Sequence, residues 1–375
     1  MRIAVILVHY RTPELAAAAV EALRRDAGES GLEIEGILVD NGSDEAGRAL
    51  LESLGFERID PGANLGFAGG VNLGVARSRA ETIVVMNPDV VVLPGCLSAL
   101  VAALGAGAAV AGPRFYWDAT CRLMLPPAEE RSRRSELLSL LATGDERWAV
   151  RARRRWRRRA RRHWEAAQPL ASHALSGSLL ALTRAAWNRV GPFDEGYRLY
   201  FEETDWLRRA ERLGLPARYV PAAEAIHFHG RSAVQEERSG AWFEESARRF
   251  RERHYGRWFT HLLEALGRRL RRHPPVPLAP VPGAGLDLTL YPSPLWVEVS
   301  PNATRFPAAA ERLTAPGAGA GAWRLPEEIE ERLAGAELSL QIVDAQGREL
   351  ACHSHRPGGE AADRMTWSAC ASASS

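Results

Sequence analysis

Ile83-Val84-Val85-Met86-Asn87-Pro88-Asp89-Val90-Val91-Val92-Leu93 is the stretch whose reading decides the fold. An apolar run stops at an Asn-Pro-Asp step and then resumes. Two similar steps lie upstream. Ile3–Val8 runs into His9-Tyr10-Arg11-Thr12, and Ile37-Leu38-Val39 runs into Asp40-Asn41-Gly42-Ser43. Short β-branched runs with helical stretches between them read as parallel strands buried on both faces. The intervening segments Pro13–Asp26, Asp44–Leu54, Gly70–Arg79 and Pro94–Leu104 read as helices, with Pro13 and Pro94 where a first turn accepts proline. In such sheets ligands sit beyond the carboxyl ends of the strands. Tyr10, Asp40 and Asp89 would share that rim. Two rim carboxylates suit a polar ligand that carries a metal ion, so a nucleotide-type substrate is expected.

The chain has 375 residues, too many for one ordinary domain, and two are expected. The apolar fraction of 46% is that of a globular protein. The net charge of +2 conceals a local bias: all 48 basic residues are arginine. Cys96, Cys121, Cys352 and Cys370 are scattered without a CxxC pair, which argues against structural zinc and a disulfide framework and fits a reducing cytoplasm. The first apolar run reads as a strand, not a signal peptide. Cys96–Gly112 is broken by Gly105 and Gly107 and is shorter than the roughly 20 residues of a spanning helix. It reads as a core helix followed by a strand. Asn302-Ala303-Thr304 matches a glycosylation sequon, without meaning in a cytoplasmic protein.

The expected organisation is an α/β catalytic domain over 1–272, with an Arg/Trp-rich helical insert at 126–168 and a basic helical segment at 240–272. A Pro-rich linker over 273–282 leads to a small β-rich domain over 283–356 and a disordered tail over 357–375. Within the first domain, Leu175–Leu182 and Ala217–Ile226 read as strands, and Arg184–Val190 and Glu203–Leu213 as helices. In the last domain Leu286–Leu290, Trp296–Val299 and Leu338–Asp344 carry strand patterns.

Several constellations can carry chemistry. Asn64–Gly74 is glycine-dense and leads into a helix, but its spacing matches neither a dinucleotide fingerprint nor a Walker loop. It either lets a ligand approach helix N-terminal amides or simply makes a tight helix start. Asp89 is a hard oxygen donor suited to Mg2+ or Mn2+ on a diphosphate, or else one arm of an ordinary turn. Glu202, Glu203 and Asp205 put three carboxylates at a helix start, more than capping requires. Their crowding should raise at least one pKa, which suits a general base. His227 and His229 follow a strand, where an imidazole could join Asp89 on one cation; His229 fits a surface position better.

These residues resemble family 2 glycosyltransferases, in particular the bacterial rhamnosyltransferase-like branch. The resemblance rests on Val5–Tyr10, Val39–Ser43, Asn64–Asn72, Asn87-Pro-Asp89, Ser176–Leu180, Gly191–Glu195 and Tyr200–Asp205, in that order over about 230 residues. It implies a GT-A fold, a Rossmann-like and mostly parallel sheet. It also implies a UDP- or dTDP-sugar donor, Mn2+ or Mg2+, and inversion at the anomeric carbon. By the resemblance, Tyr10, Thr12, Asp40 and Asn41 would surround the nucleobase and ribose, and Asn64, Gly66 and Asn72 the diphosphate side. Asp89 would take the metal place of the DxD motif, with Asn87 standing where the first acid is usual, and His227 would be the late metal- or diphosphate-binding histidine. Glu203 stands at the position of the catalytic base, usually Asp. Glu202 competes for that role, and Asp205 would position the acceptor, a glycan or a polyprenyl-diphosphate-linked sugar.

Trp148, Trp156 and Trp164 fall eight apart in the arginine run. The segment 148–164 reads as a solvated helix, a contact with anionic lipid headgroups on the inner face of a membrane, or an oligomer contact. The near-zero net charge argues against nucleic acid. The C-terminal module could bind glycan or protein, or be structural. The other functional readings are a sugar-phosphate nucleotidyltransferase, which would need a basic glycine-rich triphosphate loop near the N-terminus, and a non-catalytic nucleotide- or glycan-binding protein.

Overall fold

The computed structural model describes residues 1–228, 239–270, 278–282, 285–314 and 322–358. His229, half of the expected linker and all but the first two residues of the expected disordered tail lie outside the described residues, as does Cys370. The chain divides into two compact units. The first is Met1–Phe115, Pro127–Glu130 and His163–Arg257; the second is Tyr116–Pro126, Arg131–Arg162 and Trp258–Ser375. The division differs from the expected boundary at 272. Most of the arginine-rich segment, and all but the first residue of the helix that starts at Arg257, fall in the second unit.

In the first unit, strands β1 (Arg2–His9), β2 (Glu33–Asp40), β3 (Glu57–Ile59) and β4 (Thr82–Met86) form a parallel half-sheet in the order β3-β2-β1-β4. β5 (Val90–Val92), β6 (Val110–Tyr116), β7 (Leu170–Ala171), β8 (Leu179–Thr183) and β9 (Ala217–His227) extend it. The order continues β8-β6-β9-β5, with β7 on β9. β8 runs antiparallel to β4 and β6, and β9 antiparallel to β5. The sheet is thus mixed: β3-β2-β1-β4 is parallel, while β4–β8, β8–β6 and β5–β9 are antiparallel pairs. Helices α1 (Pro13–Ser30), α2 (Glu45–Ser53), α3 (Gly66–Arg77) and α4 (Cys96–Gly105) connect the strands. α3 lies close on the sheet because its glycines permit it: a Cβ on Gly74 would stand 2.4 Å from Ile6, and one on Gly70 2.7 Å from Val8.

Further along the chain come α5 (Arg133–Gly144), α6 (Glu146–Trp164), α7 (Arg184–Val190), α8 (Glu202–Arg212), α9 (Ser239–Tyr255) and α10 (Arg257–Arg269). Gly256, with φ of 91°, separates α9 from α10. Trp187, Phe193 and Trp206 pack α7 and α8 into the core that contains Ile6, Val39 and Leu180.

The second unit holds a sheet of β10 (Ala279–Pro280), β11 (Leu295–Ser300), β12 (Ala309–Leu313), β13 (Leu338–Asp344) and β14 (Glu349–His355), in the order β10-β14-β13-β11-β12, with α11 (Glu327–Arg332). Leu288–Leu290 is a 3-10 turn and not a strand, because the Asp287 carboxylate takes the Thr289 N–H and hydroxyl. The arginine run is not a uniformly solvated helix. Trp156 and Trp164 are buried, and Arg157 forms a two-pronged pair with Glu298 of β11 at 2.6 and 2.8 Å. Gln341 of β13 accepts a further bond from Arg157 at 3.1 Å. Trp148 and Arg147, Arg151, Arg154, Arg155, Arg158 and Arg162 form the outward stripe.

Candidate active site

β1 and β2 pair in register, so His9 stands opposite Asp40 where both strands end. The buried His9 ring meets the hydroxyls of Thr12 at 3.2 Å and Ser43 at 2.8 Å. Asp40 accepts from the Gly42 N–H and from the N–H and hydroxyl of Ser43, while Arg58 donates to its other oxygen at 3.2 Å. Burial pulls the Asp40 carboxyl upward, but the bonds from Ser43 and Gly42 outweigh it and hold the group below the ordinary carboxylate range. Burial depresses the His9 imidazole, despite the Asp40 charge nearby. Asp40 is therefore a clasp that shapes the rim loop. The Tyr10 ring lies over Gly42, and Arg11 beside it has φ of 51°.

The Asn41 side chain donates to the Gly66 carbonyl and accepts from the Leu65 N–H, both at 3.2 Å. It ties the end of β2 to the start of α3. Gly66 has φ of 70°, and the Arg198 carbonyl oxygen is 2.6 Å from where a Cβ would stand. Asn72 spends its amide on the Phe193 backbone and on Glu195. Asp40, Asn41 and Asn72 are thus each hydrogen-bonded within the chain, and Thr12 is buried against His9. Tyr10, half-buried, and Asn64, exposed, remain on the rim beside Gly66.

Asp89 and His227 meet through strand pairing. Val90 is opposite His227, and the Phe228 N–H donates to the Asp89 carbonyl at 3.0 Å. Asp89 Oδ1 and His227 Nε2 stand 3.5 Å apart, and both residues are buried. A hard carboxylate and an imidazole this close could together hold one divalent ion. Among the described residues no group of three or more His, Cys, Asp or Glu side chains is placed to hold a metal.

The three carboxylates of α8 occupy three environments. Glu202 is buried; burial first and the Glu203 charge second raise its carboxyl well above the glutamate range. Glu203 is half-buried, and its carboxylate accepts from the Thr204 hydroxyl at 3.1 Å. Asp205 is fully buried and bound by His254 Nε2 at 2.8 Å, Arg209 Nε at 2.8 Å and Arg253 Nε at 3.2 Å. Burial would raise Asp205, but the His254 bond and the two cations hold it below its ordinary range. Tyr200 and Phe201, just before α8, both have positive φ, 67° and 71°. Consecutive non-glycine residues there store strain that surrounding structure must enforce. Phe243 and Phe250 of α9 pack on Phe201 at 5.3 and 5.5 Å between ring centroids. Asp194 adds a second tie to α9 through Arg249 and Arg253. α9 thus buttresses α8.

One turn links the carboxylates to the Asp89–His227 pair. A Cβ on Gly177 would stand 2.8 Å from Glu203 Cγ, so Glu203 rests on the Ser176-Gly177-Ser178 turn. The Ser178 carbonyl accepts from the Asn87 N–H at 2.9 Å, two residues before Asp89. Leu179 pairs with Met86 where β4 ends, so this turn belongs to the carboxyl end of the parallel strands. Arg58, Arg249, Arg253 and His254 carried no motif signal, and His9, Ser43 and Asp194, although inside quoted motifs, were given no role by them. They are identified only by strand register and by contacts between distant segments.

Residues 4–162 match the family model for glycosyl transferase family 2. The chain is 28% identical over 241 residues to N-acetylglucosaminyl-diphospho-decaprenol L-rhamnosyltransferase of Mycobacterium tuberculosis, in both the CDC 1551 / Oshkosh and the ATCC 25618 / H37Rv strains. The match covers 59% of this chain and 76% of that protein. Among solved structures it is similar to the mannosyltransferase PcManGT from Pyrobaculum calidifontis in complex with GDP-Man and Mn2+. That match has 16% identity and a TM-score of 0.42, over 73% of this chain and 66% of that one. A second is S. aureus TarS 1-349, at 14% identity and a TM-score of 0.41, over 65% of each chain. This chain spans slightly less than two thirds of either solved chain. The first unit and the family match define a glycosyltransferase of GT-A fold. Residues 4–162, under half of the chain, are the part that resembles glycosyltransferase family 2.

Proposed function

We propose that this chain transfers a sugar, with inversion, from a UDP- or dTDP-sugar to a hydroxyl of a glycan or polyprenyl-diphosphate-linked acceptor. The observation that carries the reading is Glu203 resting on the Gly177 turn, whose other side bonds the strand end that leads to Asp89 and His227. Half-buried Tyr10 and Gly66 and exposed Asn64 offer the rim for the nucleotide. Asp89 and His227 would hold Mn2+ or Mg2+, which supplies charge neutralisation to the leaving diphosphate. Glu203 accepts the proton of the acceptor hydroxyl. The freed oxygen attacks the anomeric carbon from the face opposite the diphosphate; the new C–O bond forms as the bond to the phosphate oxygen breaks. Glu202, buried behind Glu203 and pushed toward the neutral acid, does not compete for that proton. Asp205, saturated by His254, Arg209 and Arg253, fixes α8 instead of reaching the acceptor.

The test is release of nucleoside diphosphate from UDP-, dTDP- and GDP-sugars with and without Mn2+, read beside donor-induced thermal stabilisation. Glu203→Gln is expected to keep the stabilisation and lose about 10²- to 10⁴-fold in turnover, the range for removal of a general base. Full turnover in that variant would exclude Glu203 as the base. Asp89→Ala and His227→Ala are expected to abolish the Mn2+-dependent part of the stabilisation; undiminished dependence in both would place the metal elsewhere.

A further inference from the structure

α10 buries one side in the second unit and leaves the other bare. Thr260 and Leu263 are buried. A Cβ on Gly267 would meet Leu140 of α5 at 3.4 Å, and the Arg133 guanidinium of α5 lies 5.7 Å from the centre of the Phe259 ring. These two contacts, one near each end, set α5 and α10 side by side and parallel. On the outward side Trp258 is 76% exposed, and Leu262, one turn further, 45%. Arg268 and Arg269 are exposed in the last turn. The helix has one acid, Glu264, 3.6 Å from the His261 ring. On α5, Arg133 and Arg134 are exposed as well. A bare tryptophan and leucine on one stripe, closed by arginines, gain nothing in water. They match the boundary between phosphate headgroups and acyl chains, where indole and aliphatic groups enter and guanidinium groups stay with phosphate. α6 lacks this combination, because Trp156 and Trp164 are buried and its outward stripe is almost all arginine.

We propose that α10 is a foot that lies in the surface of an anionic bilayer, with Trp258 and Leu262 inserted and Arg268 and Arg269 on the headgroup phosphates. The inference deepens the proposed function and rests on it for the lipid-linked acceptor, whose diphosphate stays at such a surface. Charge selects the occupant: the exposed charges beside the apolar stripe are cationic on both helices, in a chain whose net charge is only +2.

The experiment is co-sedimentation of the full chain with phosphatidylcholine vesicles, with and without phosphatidylglycerol. Binding is expected only with phosphatidylglycerol and should weaken with salt. Trp258→Ser with Leu262→Ser, and separately Arg268→Glu with Arg269→Glu, should each weaken it at least about tenfold. Trp258→Phe with Leu262→Ile should retain binding, which separates a lost contact from a misfolded helix. Arg154→Glu with Arg158→Glu on α6 should stay within about threefold of the unaltered chain. The proposal is overturned if the unaltered chain ignores the anionic vesicles, or if the serine variant binds as well as it. It is also overturned if reversal on α6 alone abolishes binding, or if light scattering shows the serine variant splitting a dimer. Donor-induced thermal stabilisation is measured on the same samples; its failure with vesicle binding intact would count against the transferase reading alone.

Discussion

Glu202 and Glu203 are neighbours in the chain, yet one is buried and the other reaches the surface, and their protons behave accordingly. The raised Glu202 carboxyl keeps its proton in the folded chain at pH values where the unfolded chain has released it. Its contribution is therefore fully present below the ordinary glutamate value, about 4.3, and is lost as pH rises through the folded value. Glu202→Gln should remove that slope, so the Tm of the variant should gain on that of the unaltered chain as pH rises; a pH-independent difference would refute a buried neutral acid. Asp205 has the opposite sign. Its depressed pKa gives stability that is present above the ordinary aspartate range and lost as pH falls through the folded value. Asp205→Asn should flatten that acid limb. Because it leaves Arg209 and His254 facing a neutral group, it should also cost about 3–5 kcal/mol in denaturant unfolding at neutral pH.

α3 and α6 were the elements with the least transparent sequences. In α3 the glycines look like a ligand cradle, but Gly70 and Gly74 serve close packing on Val8 and Ile6. Gly66 alone needs a left-handed backbone, with Arg198 directly above it. Gly66→Ala should lower stability by about 1–3 kcal/mol through φ strain and the carbonyl clash, measurable in urea. In α6 the arginine repeat hides an inward face. Arg157 can be buried only because Glu298, 141 positions away, meets it. Arg157→Met should strand that carboxylate and cost about 3–5 kcal/mol. A loss below about 1 kcal/mol would mean that the pair is solvated like a surface ion pair.

For the whole molecule, two compact units imply that unfolding need not be a single two-state event. Calorimetry should resolve two transitions. A donor nucleotide with Mn2+ should raise only that of the first unit, by about 2.7 kcal/mol at roughly a hundredfold excess over Kd. Arg157→Met should lower only the other. One transition moved by both would refute separate folding of the units. Among the described residues no helix is long and apolar enough to cross a membrane.

Most strands and helices of the first unit followed from the sequence, because buried apolar runs, prolines and caps act over a few residues; the short β3 and β7 did not. So did the rim positions of Tyr10 and Asp89, since a strand's end is a local event. The acidic cluster of α8 was equally visible, but not which member is buried. Tertiary structure decided that Asp40 and Asn41 are hydrogen-bonded to neighbouring loops, Asn72 to Phe193 and Glu195, and Asp205 to Arg209 and His254. It also decided that the arginine run divides between an ion-paired interior and a solvated stripe. Each of these depends in part on partners tens to hundreds of residues away, such as Arg58 for Asp40, His254 for Asp205 and Glu298 for Arg157. Burial and charge pairing are fixed by what packs opposite a side chain, and local pattern does not contain that.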